Sequence, residues 1–138
     1  MELAKQCNVI ITMLPMTKHV QDTVAVILEN SRKGTLIIDS STIDPLASQN
    51  MQKEAKGRGL IMIDAPVSGG VTGAAAGTLT FMAGGDESAL EKARPVLQAM
   101  GKNIVHCGGP GAGGVTKLCN NLALAISMIG ESVYVRLI

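Results

Sequence analysis

Ser68, Gly69 and Gly70 close the run Asp64-Ala65-Pro66-Val67 and have the types best suited to holding a small anion. Pro66 fixes φ and cannot extend a sheet ladder. The two glycines permit backbone angles and close approaches that a Cβ forbids. Successive backbone N–H groups in such a turn can converge on an anion, and the Ser68 hydroxyl can donate or accept. A small carboxylate suits this chemistry, although a plain Gly-rich turn would use the same residues. Lys117 and Asn121 form a second constellation, four residues apart on one helix face with Asn120 beside them. On a helix otherwise rich in Leu, Ala, Ile and Met, such groups need partners if buried. A half-buried lysine can have its pKa lowered toward working pH, which suits it to moving a proton. Spacing alone favours the plainer reading, a lysine at a helix start reaching solvent and an asparagine bonded to a neighbouring loop. Ser40-Ser41-Thr42 is a third polar group, and by itself it reads as a helix-capping turn.

The elements that would position these groups alternate along the chain. Glu2 to Gln6 reads as the end of a helix. Asn8 to Leu14 is an apolar run stopped by Pro15, and its lack of strict alternation predicts a strand buried on both faces. Val20, Val24, Ile27 and Leu28 follow at helical spacing. Thr35 to Asp39 is a second buried strand. Asp44 and Pro45 open a helix as N-cap and first-turn residue, running to about Lys56. Leu60 to Asp64 is a third strand, and Thr78 to Ala83 a fourth. Asp86 caps a helix through about Met100, with Leu90, Ala93, Val96 and Leu97 as its buried stripe. Asn103 to Cys107 is a last strand, and a helix of about 24 residues, roughly 36 Å long, ends the chain. The expectation is an α/β fold, a mostly parallel sheet with helices on both faces. Ligands of such sheets sit beyond the carboxyl ends of the strands. Met13-Leu14-Pro15, Ser40-Ser41-Thr42 and Ser68-Gly69-Gly70 all fall there, which favours one composite site.

Gly109-Pro110-Gly111-Ala112-Gly113-Gly114 fits the G-x-G-x-x-G pattern after a strand and before a helix. That fingerprint requires a second strand ending in an acidic residue about 20 residues on. Here the distance lands inside the same long helix, so the stretch reads as a flexible junction between two units.

Composition narrows the function classes. The 138 residues are 46% apolar and 17% charged with a formal net charge of +1, which gives no electrostatic case for nucleic acid or an anionic membrane. One Phe, one Tyr and no Trp offer no platform for stacking bases. Cys7, Cys107 and Cys119 contain no CxxC pair and read as reduced core thiols, so no metal site is expected. The longest nearly apolar run, Leu122 to Gly130, is too short to span a bilayer, and no residues resemble a targeting peptide. A soluble intracellular chain is expected.

Leu14-Pro15, Asp39 to Pro45, Asp64 to Gly70, Leu79 to Gly85 and Lys117-Leu118-Cys119-Asn120-Asn121 occur in that order. Together they resemble the β-hydroxyacid dehydrogenase family, its 3-hydroxyisobutyrate branch most closely. The resemblance implies a partial Rossmann-like domain over residues 1–110 and the first long helix of an all-α domain over 111–138. It places the phosphate loop before Met1 and further helices after Ile138, so the chain reads as a fragment, by itself inactive. It also implies that Ser68, Gly69 and Gly70 hold a substrate carboxylate, that Lys117 is the general acid/base and that Asn121 orients the substrate. Leu14, Pro15 and Thr42 would line an NAD or NADP cofactor, with NAD preferred. The implied reaction is oxidation of a small hydroxy acid, 3-hydroxyisobutyrate to methylmalonate semialdehyde in valine catabolism. Tartronate semialdehyde reduction and a non-catalytic binding module are the alternatives. The 6-phosphogluconate dehydrogenases fit less well, because they carry His-Asn where this chain has Asn120-Asn121. The family further implies a homo-oligomer, in the mitochondrial matrix of an animal or the cytoplasm of a bacterium. His19 stands where the family often has Asn and reads as a surface residue; His106 reads as a core or edge residue.

Overall fold

The computed structural model describes residues 2–137. In chain order the elements are α1 (Glu2–Gln6), β1 (Val9–Thr12), α2 (Thr17–Asn30), β2 (Leu36–Asp39), α3 (Pro45–Gly57), β3 (Ile61–Asp64), β4 (Val67–Ser68), α4 (Gly70–Ala76), β5 (Leu79–Gly84), α5 (Glu87–Gln98), β6 (Gly101–Gly108) and α6 (Ala112–Leu137). Helix α3 starts as its sequence demands. The Asp44 carboxylate accepts the Leu46 N–H at 2.9 Å, and Pro45 occupies the first turn. Asp86 differs from expectation. It stands at the start of α5 without a side-chain capping bond, because its carboxylate pairs with Lys56 of α3 at 2.8 Å instead.

Strands β1, β2 and β3 pair in parallel, as do β5 and β6. Between the two sets lies one antiparallel seam. Asp64 opposes Gly84, Val67 opposes Phe81 and Ser68 opposes Thr80, all on β5. The Met82 N–H donates to the Pro66 carbonyl at 2.9 Å within the same register. Thus β3 and β4 form one strand running through Ala65 and Pro66. The expectation that Pro66 ends the ladder is corrected: a proline lacks a donor but keeps its acceptor, and only the acceptor is needed here. Helix α4 follows directly on the Ser68 turn. Its Ala74-Ala75-Ala76 run favours helix despite the flanking glycines.

Alternation along the strands builds two cores. Ile37 and Met62 join Val20, Val24, Ile27 and Leu28 of α2 and Met51 and Ala55 of α3 on one face. Leu36, Ile38, Ile63 and Phe81 join Ala89, Leu90, Ala93 and Leu97 of α5 on the other. Fully buried side chains such as Ile37, Ile38 and Ile63 each contribute about 1.5–3 kcal/mol. Strand β1 is not buried on both faces as expected. Ile10 packs toward α2, whereas Val9 and Ile11 are exposed, since α5 covers the sheet only from β2 onward.

Helix α6 is held at its beginning and free thereafter. Gly113 and Gly114 are its buried residues, and Leu118 to Leu137 are exposed. The expectation that no segment is long enough for a bilayer is corrected. The 26-residue helix is long and apolar enough to cross one by length and composition, with a mean hydropathy of 1.3 over its best window. Counting the uninterrupted apolar run missed this, because isolated polar residues barely lower a helix-long average.

Candidate active site

Ser68, Gly69, Gly70 and Lys117 line one open cleft of about 540 Å³, together with Ile11, Met13 and Ser40. Sequence distance had separated them, and the folded sheet brings them to one place. Ser68 ends β4 half-buried, and Gly69 turns the chain into α4 with φ of +136°. A side chain at Gly69 would be strained by that angle, and its Cβ would stand 3.1 Å from Leu79 Cδ2. Lys117 is half-buried on α6, and among the described residues it has no ion-pair partner. The remaining expected residues stand outside the lining. Asn121 is exposed one turn further along α6, and Pro15 and Thr42 are exposed on their loops. Leu14 is half-buried, and its N–H donates to Ser41 Oγ at 2.9 Å. Ser40 Oγ, at the carboxyl end of β2, is buried without a hydrogen-bond partner among the described residues.

Behind the cleft a row of residues runs in register across the sheet: Thr12, Asp39, Asp64 and Gly84. Asp39 is fully buried. Its Oδ1 accepts from Thr12 Oγ1 at 2.8 Å, Ser41 Oγ at 2.6 Å and the Ser41 N–H at 3.2 Å, while Oδ2 has no partner among the described residues. Burial pushes the Asp39 carboxyl above its ordinary 3.8; the bonds from Ser41 and Thr12 oppose that shift, and the neighbouring Asp64 adds to it. Asp39 thereby fixes Ser41, and Ser41 fixes Leu14, so the loops after β1 and β2 are tied into one unit.

Asp64 is buried as well. Its Oδ1 accepts the Gly111 N–H at 2.8 Å and Gln52 Nε2 at 2.6 Å, and its Oδ2 accepts the Gly114 N–H at 2.8 Å. The G-x-G-x-x-G look-alike therefore does meet an anion, but the anion is the chain's own carboxylate. The expected flexibility of this junction is corrected too. A Cβ on Gly113 would clash with the Met82 carbonyl and stand 2.8 Å from Asp64 Oδ2, so the glycines serve close packing. Sequence reasoning missed Asp39 and Asp64 as site-building residues. The available signal was an aspartate ending two otherwise apolar strands, Leu-Ile-Ile-Asp and Ile-Met-Ile-Asp.

Other candidates lie apart from this cleft. His19 is exposed on α2, and His106 lies on β6 with Nε2 3.0 Å from the Gly85 carbonyl oxygen. Cys119 is exposed and Cys7 and Cys107 are half-buried, so the cysteines are not core thiols. Cys7 follows the end of α1, Cys107 lies on β6 and Cys119 on the exposed part of α6. A second cleft of about 330 Å³ between α3 and α5 is bordered by Gln52, Lys53, Lys92 and the Lys56–Asp86 pair, and by none of the residues that line the first.

Comparison with known proteins agrees with this fold. The chain is 53% identical to an NAD-dependent L-serine dehydrogenase of Pseudomonas aeruginosa over 91% of its length and 43% of that protein's. It is 52% identical to a probable mitochondrial 3-hydroxyisobutyrate dehydrogenase of Dictyostelium discoideum, over 95% of the chain and 42% of the relative. A solved structure of Mycobacterium tuberculosis 3-hydroxyisobutyrate dehydrogenase with L-serine superposes with a TM-score of 0.90 at 48% identity, covering 94% of this chain and 44% of that one. The chain thus spans less than half the length of these relatives. Residues 1–109 match the profile of the NAD binding domain of 6-phosphogluconate dehydrogenase, and the chain belongs to that family.

Proposed function

We propose that the protein carrying this chain oxidises a short 3-hydroxy acid with NAD or NADP, most consistently 3-hydroxyisobutyrate. The observation that carries the reading is that Lys117 shares one cleft with Ser68, Gly69 and Gly70. A carboxylate on the Ser68 hydroxyl and the Gly69–Gly70 backbone would leave the neighbouring hydroxyl for a proton-transfer group. Lys117 as a neutral amine takes the hydroxyl proton; as an ammonium it stabilises the alkoxide. Asn121 would orient the substrate. The cleft also fits a nicotinamide. Its lining is largely apolar, and the unpartnered buried Ser40 hydroxyl lies at its border. Leu14, Pro15 and Thr42, which stand outside the cleft's lining, would contact the cofactor beyond it, on loops tied together by Asp39 and Ser41. When bound, the nicotinamide supplies the hydride acceptor.

L-Serine is a second candidate substrate, favoured by the 53% identity to an L-serine dehydrogenase. It carries the same carboxylate and 3-hydroxyl, so the same residues would serve. The activity is assigned to the protein at the length of its relatives, with residues 111–138 as the start of a helical domain and a homo-oligomer as the assembly. The mitochondrial matrix would be its place in an animal, the cytoplasm in a bacterium. The 138-residue chain alone is expected to turn over poorly.

In the full-length protein, Lys117→Ala should lower kcat by about 10²–10⁴ on both 3-hydroxyisobutyrate and L-serine. Cofactor Kd, read by fluorescence titration, should change by no more than about twofold. Wild-type kcat in this variant would overturn the assignment.

A further inference from the structure

We propose that Asp64 is a positioning residue for catalysis: its carboxylate clamps the first turn of α6 to the end of β3 and so sets where Lys117 stands relative to Ser68. The inference rests on the functional reading above. Three facts carry it.

First, the carboxylate meets the backbone N–H groups of Gly111 and Gly114 with one oxygen each, both at 2.8 Å. The N–H groups of a helix's first turn have no partners within the helix, and an anion there also meets the favourable end of the helix dipole. Gln52 Nε2 holds the same carboxylate from the α3 side at 2.6 Å, which fixes its orientation. Second, α6 is fastened only over its start, where its glycines also pack closely against β5 and α3 and where Asp64 is, among the described residues, the one side chain that hydrogen-bonds its N–H groups. Gly111, Gly113 and Gly114 are buried, and the helix beyond Lys117 is exposed. Lys117 lies less than one turn past Gly114, so a tilt at the clamp moves its amine directly. Third, β3 and β4 are one strand in continuous register, which places Ser68 four residues from Asp64 on a rigid element. The carboxylate-holding serine and the proton-transfer lysine are both referred to this one side chain.

An ordinary helix cap would affect stability without affecting turnover by the folded enzyme. A clamp that positions Lys117 must affect turnover. Asp64→Asn keeps the size but sets an NH₂ group against one backbone N–H. The full-length variant should be assayed where circular dichroism shows it folded, with amide hydrogen exchange followed over residues 111–117. Exchange there should rise by roughly tenfold or more, and kcat should fall by about 10–100-fold, the usual effect of an ångström-scale misplacement. Cofactor Kd should stay within about twofold. Gln52→Ala, which removes one donor and leaves the clamp itself, should shift exchange and kcat in the same directions by a few-fold, about 2–10. It serves as the test if Asp64→Asn does not fold. Unchanged exchange overturns the proposal. So does raised exchange with wild-type kcat when Lys117→Ala is inactive. Wild-type kcat in Lys117→Ala instead removes the functional reading, and with it the catalytic part of this proposal.

Discussion

Asp39 and Asp64 end adjacent parallel strands, face each other in register and are both buried, yet they are satisfied in opposite ways. Asp64 uses both oxygens and draws its donors from α3 and from the start of α6. Asp39 uses one oxygen, takes its donors from its own turn and from neighbouring β1, and leaves the other oxygen unpartnered. The difference separates two uses of a buried carboxylate. One joins elements distant in sequence, and its charge is well matched by donors. The other organises a local turn, and its charge is only partly compensated.

The same substitution at both positions is the sharpest way to break that comparison. Asp64→Asn should cost on the order of 3 kcal/mol in urea unfolding, because hydrogen bonds to a charged acceptor are lost and a buried N–H faces another donor. Asp39→Asn should lie within about 1 kcal/mol of wild type, since its Oδ1 bonds survive and an unmatched charge is removed. Equal losses would erase the distinction.

A smaller effect, about 1 kcal/mol, is expected for Thr12→Val, which removes one donor to Asp39 Oδ1 while keeping the side chain's shape. A double-mutant cycle with Asp39→Ala, which removes the acceptor, should recover most of that loss as coupling, whereas additive losses would mean Thr12 acts through packing alone.

The smallest signal is a pH dependence. The folded chain holds the Asp39 proton more tightly than the unfolded chain, whose carboxyl titrates near 3.8. The stability that Asp39 contributes is therefore full below about pH 3.8, falls as pH rises through the raised folded value, and then levels. Subtracting the Asp39→Asn unfolding curve from wild type at each pH isolates this trend. A difference that grows more favourable to wild type with rising pH would show that the hydrogen bonds outweigh burial.

Much of this arrangement was legible in the sequence. Apolar runs such as Leu36-Ile37-Ile38 located the strands, and Asp44-Pro45 located a helix start. The antiparallel seam was not legible, because a short apolar strand such as Leu79 to Ala83 reads alike in both directions. Nor was the anchoring of Asp64. Its backbone partners lie 47 and 50 residues downstream, and a backbone N–H has no side-chain signature. The glycines that expose those N–H groups were visible, but glycine spacing alone does not distinguish a ligand's phosphate from a carboxylate of the same chain. The Ser68 stretch and Lys117 were legible by type, and their meeting in one cleft required the fold.

The unbroken pairing of β3 and β4 with β5 constrains how this region can change in length. Asp64 and Ser68 sit four residues apart, roughly 13 Å at an extended rise. One residue inserted between them would turn every later side chain to the opposite face of the sheet. Two inserted residues would restore the face but displace Ser68 by nearly 7 Å. Natural or engineered length variation is thus expected at the exposed end of α4, around Ala75 and Ala76, past the cleft-lining Val71 and Ala74 and outside the paired strands.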